Sequence, residues 1–197
     1  DMGTPDRLIA VTEDIKSGKV EKKNIKNKQK AIFLDRDGTI NKYVGFLSDI
    51  NDFELIDNVA DAIKDINKSD YLAIVITNQP VIARGEVTFE ELEEIHKKME
   101  TLLGEKGAYV DAIYYCPHHP DKGFEGEVTE LKIDCDCRKP KPGMLLRAAE
   151  EFNIDLTKSY MIGDSDVDIK TAENAGCKSI KIECAEDFWK KFNIQKL

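Results

Sequence analysis

Two acidic residues, Asp35 and Asp37, follow a short apolar run at residues 31–34, and Gly38 comes directly after them. The apolar run predicts a buried strand that ends in a loop. Because side chains alternate along an extended backbone, the two carboxylates are expected to point to the same side. Carboxylates so placed repel each other unless a cation lies between them or one is protonated. The pattern therefore suits a Mg²⁺ site with an aspartate that can attack phosphorus, although an ordinary strand followed by an Asp-Gly turn has the same residues.

Segments with strand and helix periodicity alternate from residue 31 onward. This alternation predicts an open, mostly parallel, Rossmann-like α/β sheet flanked by helices. Ligands of such sheets bind at the carboxyl ends of the strands, and Asp35, Thr77 and Asp164 are each expected at such an end. The predicted strands are 31–34, 71–77, 110–115, 160–162 and 179–182, and the predicted helices are 59–66, 89–103, 144–152, 167–175 and 188–192.

Several segments in a fixed order carry a specific pattern. They read Phe-Leu-Asp-Arg-Asp-Gly-Thr-Ile-Asn at 33–41, Val-Ile-Thr-Asn-Gln at 75–79 with Ala-Arg-Gly at 83–85, Cys-Pro-His-His-Pro at 116–120 with Cys-Asp-Cys-Arg-Lys-Pro at 135–140, and Met-Ile-Gly-Asp at 161–164. Together they resemble the haloacid dehalogenase superfamily of phosphotransferases. More narrowly, they are similar to the branch that contains D-glycero-D-manno-heptose-1,7-bisphosphate 7-phosphatases and histidinol-phosphate phosphatases. The resemblance covers about residues 31–182, and the chain length leaves no room for a large cap domain.

The resemblance implies a role for each acidic residue. Asp35 would be the nucleophile that forms an aspartyl-phosphate, and Asp37 would be the general acid and then the general base. Thr77 and Lys139 would complete the catalytic set by contacting the phosphate. A catalytic Mg²⁺ would be held by Asp35, the backbone carbonyl of Asp37, and Asp164. Mg²⁺ prefers such oxygen ligands.

Other polar residues of the matched segments are candidates for binding the rest of the substrate. Arg138 offers a bidentate fork for a second anionic group, and Arg84 and Asn78 are further candidates. Asp168 is expected to lie beside the metal ligands and to support them without contacting the metal itself. Residues 80–81 are Pro-Val where members of this branch usually have Ser-Gly, which makes this loop stiffer and bulkier.

Three cysteines and a histidine form pairs with the spacing of a zinc site. Cys116 and His118 make one pair, and Cys135 and Cys137 make the other. A closed set of this kind holds a structural Zn²⁺ and leaves no open position for catalysis. His119 is an alternative imidazole. The cysteines could instead pack as small apolar residues, but their loop is polar and is predicted to offer no core.

Composition narrows the class of protein. The chain has 197 residues, 41% of them hydrophobic and 34% charged, which is typical of a globular domain. The net charge of −9 argues against nucleic-acid binding. No apolar run approaches the ~20 residues of a membrane span. The odd number of cysteines, five, without an export signal favours the reducing cytoplasm. His96, in a charged helix, is expected at the surface.

Residues 1–30 are predicted to be a linker or extension, and residues 31–197 a phosphatase domain. Residues 11–30 are rich in Lys, Glu and Asn and are expected to be partly helical. Residues 1–8 resemble the closing Asp-x-Gly-Thr-Pro segment of sugar-phosphate nucleotidyltransferase domains, although an isolated Gly-Thr-Pro turn has the same residues. If the resemblance is genuine, the phosphatase is fused to such a domain.

The combined pattern supports a Mg²⁺-dependent phosphatase of a small sugar phosphate. The resemblance points to the 7-phosphate of D-glycero-D-manno-heptose 1,7-bisphosphate, with histidinol phosphate as the alternative substrate. A hypothesis of another class is a zinc-stabilised interaction module without catalysis. That hypothesis predicts the loss of acidic motif residues, whereas Asp35, Asp37, Asp164 and Lys139 are all present.

Overall fold

Strands and helices alternate along the chain in a computed structural model, which describes residues 4–123 and 125–197. The strands are β1 Lys30–Leu34, β2 Tyr71–Asn78, β3 Ala112–Cys116, β4 Tyr160–Gly163 and β5 Lys178–Lys181. The α-helices are α1 Pro5–Lys16, α2 Lys19–Lys22, α3 Val59–Lys68, α4 Phe89–Glu105, α5 Gly143–Glu151, α6 Asp166–Ala175 and α7 Ala185–Lys191. The strands form one parallel sheet in the order β3-β2-β1-β4-β5. The predicted fold class is confirmed.

The central strand β1 is buried on both faces. Ile32 and Leu34 pack into an apolar cluster with side chains of α3, α4 and α7, whereas Ala31 and Phe33 pack into a second cluster with α5 and α6. All four side chains are fully buried. A parallel strand covered by helices on both sides requires apolar residues at consecutive positions, which is why residues 31–34 show no polar alternation.

The sheet order places the ends of three strands side by side. β1 pairs with β2 on one side and with β4 on the other. The backbone N–H of Asp35 donates to the carbonyl of Ile162 across 3.0 Å, so the pairing with β4 continues one residue past β1. The residues that follow β1, β2 and β4 therefore meet at one edge of the sheet, which is where parallel sheets bind ligands.

Helix α4 contributes an unexpected inward residue. The helix begins with a capping box in which Thr88 and Glu91 bond to each other's backbone N–H. Leu92 and Ile95 are buried, and so is His96, which is only 6% exposed. The prediction that His96 lies at the surface is wrong, because it falls on the same face as the apolar residues. Over residues 4–123 and 125–197, α4 and the other helices lack the length and apolar character needed to cross a bilayer.

The segment before β1 is helical in part, as expected. Thr4 caps the start of α1, whose described side chains are all at least partly exposed. Residues 1–3, which belong to the segment that resembles a nucleotidyltransferase, lie outside the described residues. The connection to β1 is tied to the rest of the chain by Asn153, whose side-chain amide donates to the carbonyl of Ile25 across 3.0 Å.

Candidate active site

Three carboxylates and one ammonium group converge at the carboxyl edge of the sheet. Asp35 follows β1, Asp164 follows β4, and Asp168 lies in the first turn of α6. Oxygen atoms of these aspartates all lie within 4.8 Å of one another. The Nζ of Lys139 lies 2.8 Å from Oδ1 of Asp35 and 2.6 Å from Oδ1 of Asp168. The site therefore brings together residues from three distant parts of the sequence, at position 35, at position 139 and at positions 164–168.

Burial and mutual repulsion shift the pKa values of these groups. Burial raises the pKa of Asp35 to about 7, with Lys139 opposing the shift and Asp168 adding to it. Burial and the nearby Asp168 raise the pKa of Asp164 above its ordinary value. Burial by itself would lower the pKa of Lys139, but Asp35 and Asp168 outweigh it and raise that pKa. The acidic edge thus holds more negative charge than its single buried ammonium balances.

The arrangement of oxygen atoms fits a small hard cation. Both oxygens of Asp168 are engaged, one by Lys139 and the other by the hydroxyl and N–H of Ser165. Asp164 lies directly against Gly38, where an added Cβ would collide with its carboxylate. Gly38 also has a φ of +76°, which favours glycine. Carboxylates of Asp35 and Asp164 beside the backbone of this loop form the kind of oxygen donor set that Mg²⁺ takes.

Asp37 is held by a set of side-chain donors. The buried guanidinium of Arg36 donates to both Asp37 oxygens, from Nη2 across 3.0 Å and 2.9 Å and from Nε across 3.2 Å. Asn41 donates to Oδ1 across 3.0 Å, and Gln79 donates to Oδ2 across 2.9 Å. Asp37 nevertheless lines the adjacent cleft. Its carboxylate is therefore fixed in orientation at the edge of the cleft.

The end of β2 supplies two further polar groups. The hydroxyl of Thr77 accepts a hydrogen bond from Gln79 across 2.8 Å. The side chain of Asn78 donates to the carbonyl of Lys139 across 3.1 Å and accepts from its N–H across 3.0 Å. Thr77 and Asn78 both line the cleft. The amide of Asn78 is bonded to the backbone of Lys139, which positions that lysine.

These side chains border one cleft of about 340 Å³. Its polar lining comes from Asp35, Asp37, Thr77, Asn78, Gln79, Arg138, Lys139, Asp164 and Ser165, and its apolar lining from Tyr43, Phe46, Leu47, Pro80, Val81 and Val167. The cleft is large enough for a small phosphorylated molecule.

The loop after β2 packs its bulky residues inward. Val81 is 1% exposed and packs with Ile82, Val87 and Leu92 in a small apolar cluster. Arg84, in the same loop, lies with its guanidinium 4.3 Å from the ring centre of Phe46 and forms an ion pair of 2.6 Å with a neighbouring glutamate. Arg84 itself does not line the cleft; it stacks on Phe46, which does.

The predicted zinc ligands form a second cluster. The Sγ atom of Cys116 lies 3.5 Å from that of Cys135 and 3.2 Å from that of Cys137, and Nδ1 of His118 lies 3.3 Å from Cys137. A tetrahedron with Zn–S bonds of about 2.3 Å places its sulfurs about 3.8 Å apart, so the donor set is close to the size of a zinc site. His119 lies outside this cluster.

The zinc-type cluster is linked to both the core and the cleft. Cys116, at the end of β3, is fully buried in the apolar core, so the prediction that the loop offers no core is wrong for this residue. The carbonyl of His118 accepts a hydrogen bond from Nη1 of Arg138 across 3.1 Å. The cluster is therefore connected to Arg138, which lines the cleft, through the carbonyl of His118.

Sequence reasoning missed the residues that surround Asp37. Arg36, Asn41 and Gln79 all lie in the matched segments, but their types alone do not indicate which partner they contact. A usable signal is an arginine only two residues beyond a buried strand, since a charged group there needs a buried partner. For His96, the signal of burial in the sequence is its position on the apolar face of α4.

Comparison with protein families places the chain among hydrolases. Residues 136–184 match the HAD-hydrolase-like family model. The chain is 46% identical over 150 residues to D-glycero-β-D-manno-heptose-1,7-bisphosphate 7-phosphatase of Escherichia coli K12, covering 75% of this chain and 76% of that protein. It is 45% identical over 150 residues to the enzyme of the same name from Haemophilus influenzae, covering 76% and 78%.

Two solved structures that resemble this chain are also heptose-bisphosphate phosphatases. D,D-heptose 1,7-bisphosphate phosphatase from B. bronchiseptica, solved with magnesium and phosphate, is 34% identical, with a TM-score of 0.70 over 81% of this chain and 84% of that one. The enzyme of that name from Burkholderia thailandensis is 26% identical, with a TM-score of 0.53 over 76% and 75%. The chain therefore belongs to the haloacid dehalogenase-like hydrolases, on the branch of the heptose-bisphosphate phosphatases.

Proposed function

We propose that this protein hydrolyses the 7-phosphate of D-glycero-D-manno-heptose 1,7-bisphosphate through an aspartyl-phosphate. The observation that carries this proposal is the convergence of Asp35, Asp164 and Lys139 at the cleft, with Asp37 held at its edge. The relatives that share 45–46% identity with the chain support the choice of substrate.

In the first step, an oxygen of Asp35 attacks phosphorus, and the bond from phosphorus to the sugar oxygen breaks. Asp37 gives its proton to that departing oxygen, which leaves as an alcohol. Lys139 holds Asp35 in place and offers positive charge to the phosphate. The hydroxyl of Thr77 is available to donate to a phosphate oxygen.

In the second step, water attacks the phosphorus of the aspartyl-phosphate. Asp37, now a carboxylate, takes a proton from that water. The bond between phosphorus and Asp35 breaks, inorganic phosphate leaves, and Asp35 is restored. The donors around Asp37 keep its carboxylate near the cleft in both steps.

We propose Mg²⁺ as the catalytic metal, held by Asp35, the carbonyl of Asp37, and Asp164. When bound, it supplies positive charge that reduces repulsion between a carboxylate nucleophile and an anionic phosphate. The carboxylate oxygens of Asp35 and Asp164 lie within 4.8 Å of each other, and the pKa values of both groups are raised. Both observations support a cation there.

We propose that Cys116, His118, Cys135 and Cys137 hold a structural Zn²⁺. Four protein ligands leave no position for substrate, so its role would be to fix the loop that carries Arg138. Arg138 lines the cleft and offers a fork for a second anionic group of the substrate, such as a 1-phosphate. Arg84 would contribute through Phe46, on which it stacks.

The remaining proposals concern organisation and location. Residues 1–30 would form an extension and residues 31–197 the phosphatase domain, in the cytoplasm, where thiols stay reduced. Fusion to a sugar-phosphate nucleotidyltransferase stays a prediction that rests on the resemblance of residues 1–8, of which residues 1–3 lie outside the described residues.

The test is phosphate release from a panel of substrates with and without Mg²⁺. The panel contains both anomers of heptose 1,7-bisphosphate, histidinol phosphate and fructose 1,6-bisphosphate. We expect metal-dependent release that is fastest with one of the heptose bisphosphates and absent in Asp35→Asn. Faster release from histidinol phosphate would overturn the substrate, and metal-independent release by Asp35→Asn would overturn the mechanism.

A further inference from the structure

Arg36 is a fully buried charged residue between two catalytic aspartates. Its side chain is 0% exposed, and its guanidinium reaches three different side chains. Nη2 and Nε donate to Asp37, Nη2 also donates to Oε1 of Gln79 across 2.9 Å, and Nη1 lies 3.3 Å from Nε2 of His96. A buried arginine is costly unless each of its N–H groups finds a partner. The network therefore fixes where this guanidinium can lie.

His96 links the network to helix α4. A guanidinium can only donate hydrogen bonds, so Nε2 of His96 must accept, and the ring proton must lie on Nδ1. Burial and the nearby Arg36 lower the pKa of His96 to about 4, which agrees with a neutral ring at neutral pH. The ring is also packed beside Tyr115, with ring centres 5.5 Å apart. A neutral acceptor held in this way can orient Arg36 without adding charge.

We infer that His96 is a positioning residue for Asp37, acting through Arg36. The inference rests on the proposed function, in which Asp37 moves a proton to and from the reacting oxygen atoms. His96 itself does not line the cleft, whereas Asp37 does. Loss of the acceptor at Nε2 frees Nη1 of Arg36 to turn toward another partner. The Asp37 carboxylate bonded to Arg36 would then shift as well.

The choice of ester separates this role from a purely structural one. A sugar alkoxide is a poor leaving group and needs the proton of Asp37, whereas p-nitrophenolate leaves without one. Misplacing Asp37 should therefore slow sugar phosphates more than p-nitrophenyl phosphate. Loosening of the fold would slow both esters by the same factor.

The experiment compares His96→Ala, His96→Gln and wild type with Mg²⁺, using heptose 1,7-bisphosphate and p-nitrophenyl phosphate. We expect kcat of His96→Ala to fall by about 10- to 100-fold with the sugar phosphate and by less than about 3-fold with the aryl phosphate, at nearly constant KM. The amide oxygen of Gln can take the place of Nε2, so His96→Gln should recover most of the loss. It also provides the test if the alanine variant does not fold.

Met99→Ala is the matched control. Met99 is fully buried in the same helix, one turn further on, and belongs to the apolar cluster. This substitution should destabilise the protein and leave the ratio of the two kcat values unchanged. In an Asp37→Asn background, His96→Ala should cause no further loss with the sugar phosphate, because the two residues act as a unit.

Three results would each overturn this inference and leave the proposed function intact. They are equal losses on the two esters, a loss that His96→Gln does not reduce, and an additive loss in the Asp37→Asn background. Absence of hydrolysis of both esters by the wild type would overturn the proposed function and this inference with it. The two failures are therefore distinguishable by the wild-type rates.

Discussion

The ammonium of Lys139 lies 2.8 Å from Oδ1 of Asp35. These residues are 104 positions apart in the chain, and both are largely buried at the carboxyl edge of the sheet. The lysine holds the carboxylate in place, and in the proposed mechanism it also offers charge to an incoming phosphate. This pair sets the geometry from which the first predictions follow.

Lys139→Ala should lower both activity and stability. Without the ammonium, Asp35 and Asp168 remain buried and lose their cation. We expect kcat/KM to fall by at least about 100-fold, and the free energy of unfolding at pH 8 to fall by about 3–5 kcal/mol. Steady-state kinetics and urea denaturation measure the two effects. Lys141→Ala, which removes an exposed ion pair with Asp134, is the control, and an equal effect of both variants would contradict the prediction.

Asn78→Ala should reduce kcat more than it raises KM. Both ends of the Asn78 amide bond to the backbone of Lys139, so the variant misplaces that lysine and leaves the proposed substrate contacts of Arg138 intact. We expect kcat to fall about 10-fold or more, with KM changing less than about 3-fold. Arg138→Ala, in contrast, should mainly raise KM. A rise in KM without a change in kcat for Asn78→Ala would instead support direct substrate binding.

Gly38→Ala should abolish Mg²⁺-dependent activity. The new methyl group would collide with the carboxylate of Asp164 at a backbone position with a φ of +76°. Gly176→Ala is the matched control, since its φ is also +76° but, apart from its chain neighbours, no atom of the described residues lies within 4 Å of the added Cβ. The control should lose about 1 kcal/mol of stability and keep its activity. Comparable activity in the two variants would show that contact with Asp164 is unimportant.

Elemental analysis should find one zinc per chain. Cys135→Ser should lose the zinc, lower the thermal midpoint, and reduce activity, because the carbonyl of His118 anchors Arg138. Cys177 lies outside the cluster, so Cys177→Ser should retain the metal. Zinc retained in Cys135→Ser at the wild-type level would contradict the assignment of this cluster.

Stability should depend on pH through His96. Its pKa falls from 6.5 in the unfolded chain to about 4 in the folded protein, because burial and Arg36 disfavour the charged ring. Between pH 4 and pH 6.5 the unfolded chain binds more protons at His96 than the folded protein does. The contribution of the neutral His96 ring to the free energy of unfolding is therefore complete above pH 6.5 and is lost as the pH falls toward 4. The loss amounts to about 3 kcal/mol.

Chemical denaturation at several pH values checks this expectation. His96→Gln carries no titrating ring, so its stability should fall less than that of the wild type over the same range. The difference between the two curves isolates His96 from the zinc ligands and the carboxylates, which both proteins share. Parallel curves across this pH range would contradict the prediction.

Much of the fold could be predicted from local patterns. Continuous apolar residues indicated β1 and β2, and apolar residues at helical spacing indicated α3 and α4, each within about two residues of the observed ends. The helix predicted to end at residue 175 does so, and Gly176 follows it with a left-handed backbone. These features depend on neighbours in the chain, which is why the sequence carries them.

The contacts of individual side chains were harder to predict. The expectation that Asn78 binds substrate did not indicate that its amide also bonds to the backbone of Lys139, 61 residues away. His96 was expected at the surface because charged residues surround it in the sequence, yet its ring faces Arg36 in the interior. Such pairings depend on the direction in which a helix packs against the sheet, and residue type alone does not specify it.

By itself, the sequence determined the alternation of strands and helices, the family, and which acidic and sulfur-containing residues are available for chemistry. The tertiary structure decided which of them meet. The order β3-β2-β1-β4-β5 brings Asp35 next to Asp164, and the crossover to α4 brings His96 to Arg36. The physical reason is that strand ends and helix faces are set locally, whereas hydrogen bonds and ion pairs between distant residues exist only once the sheet has assembled.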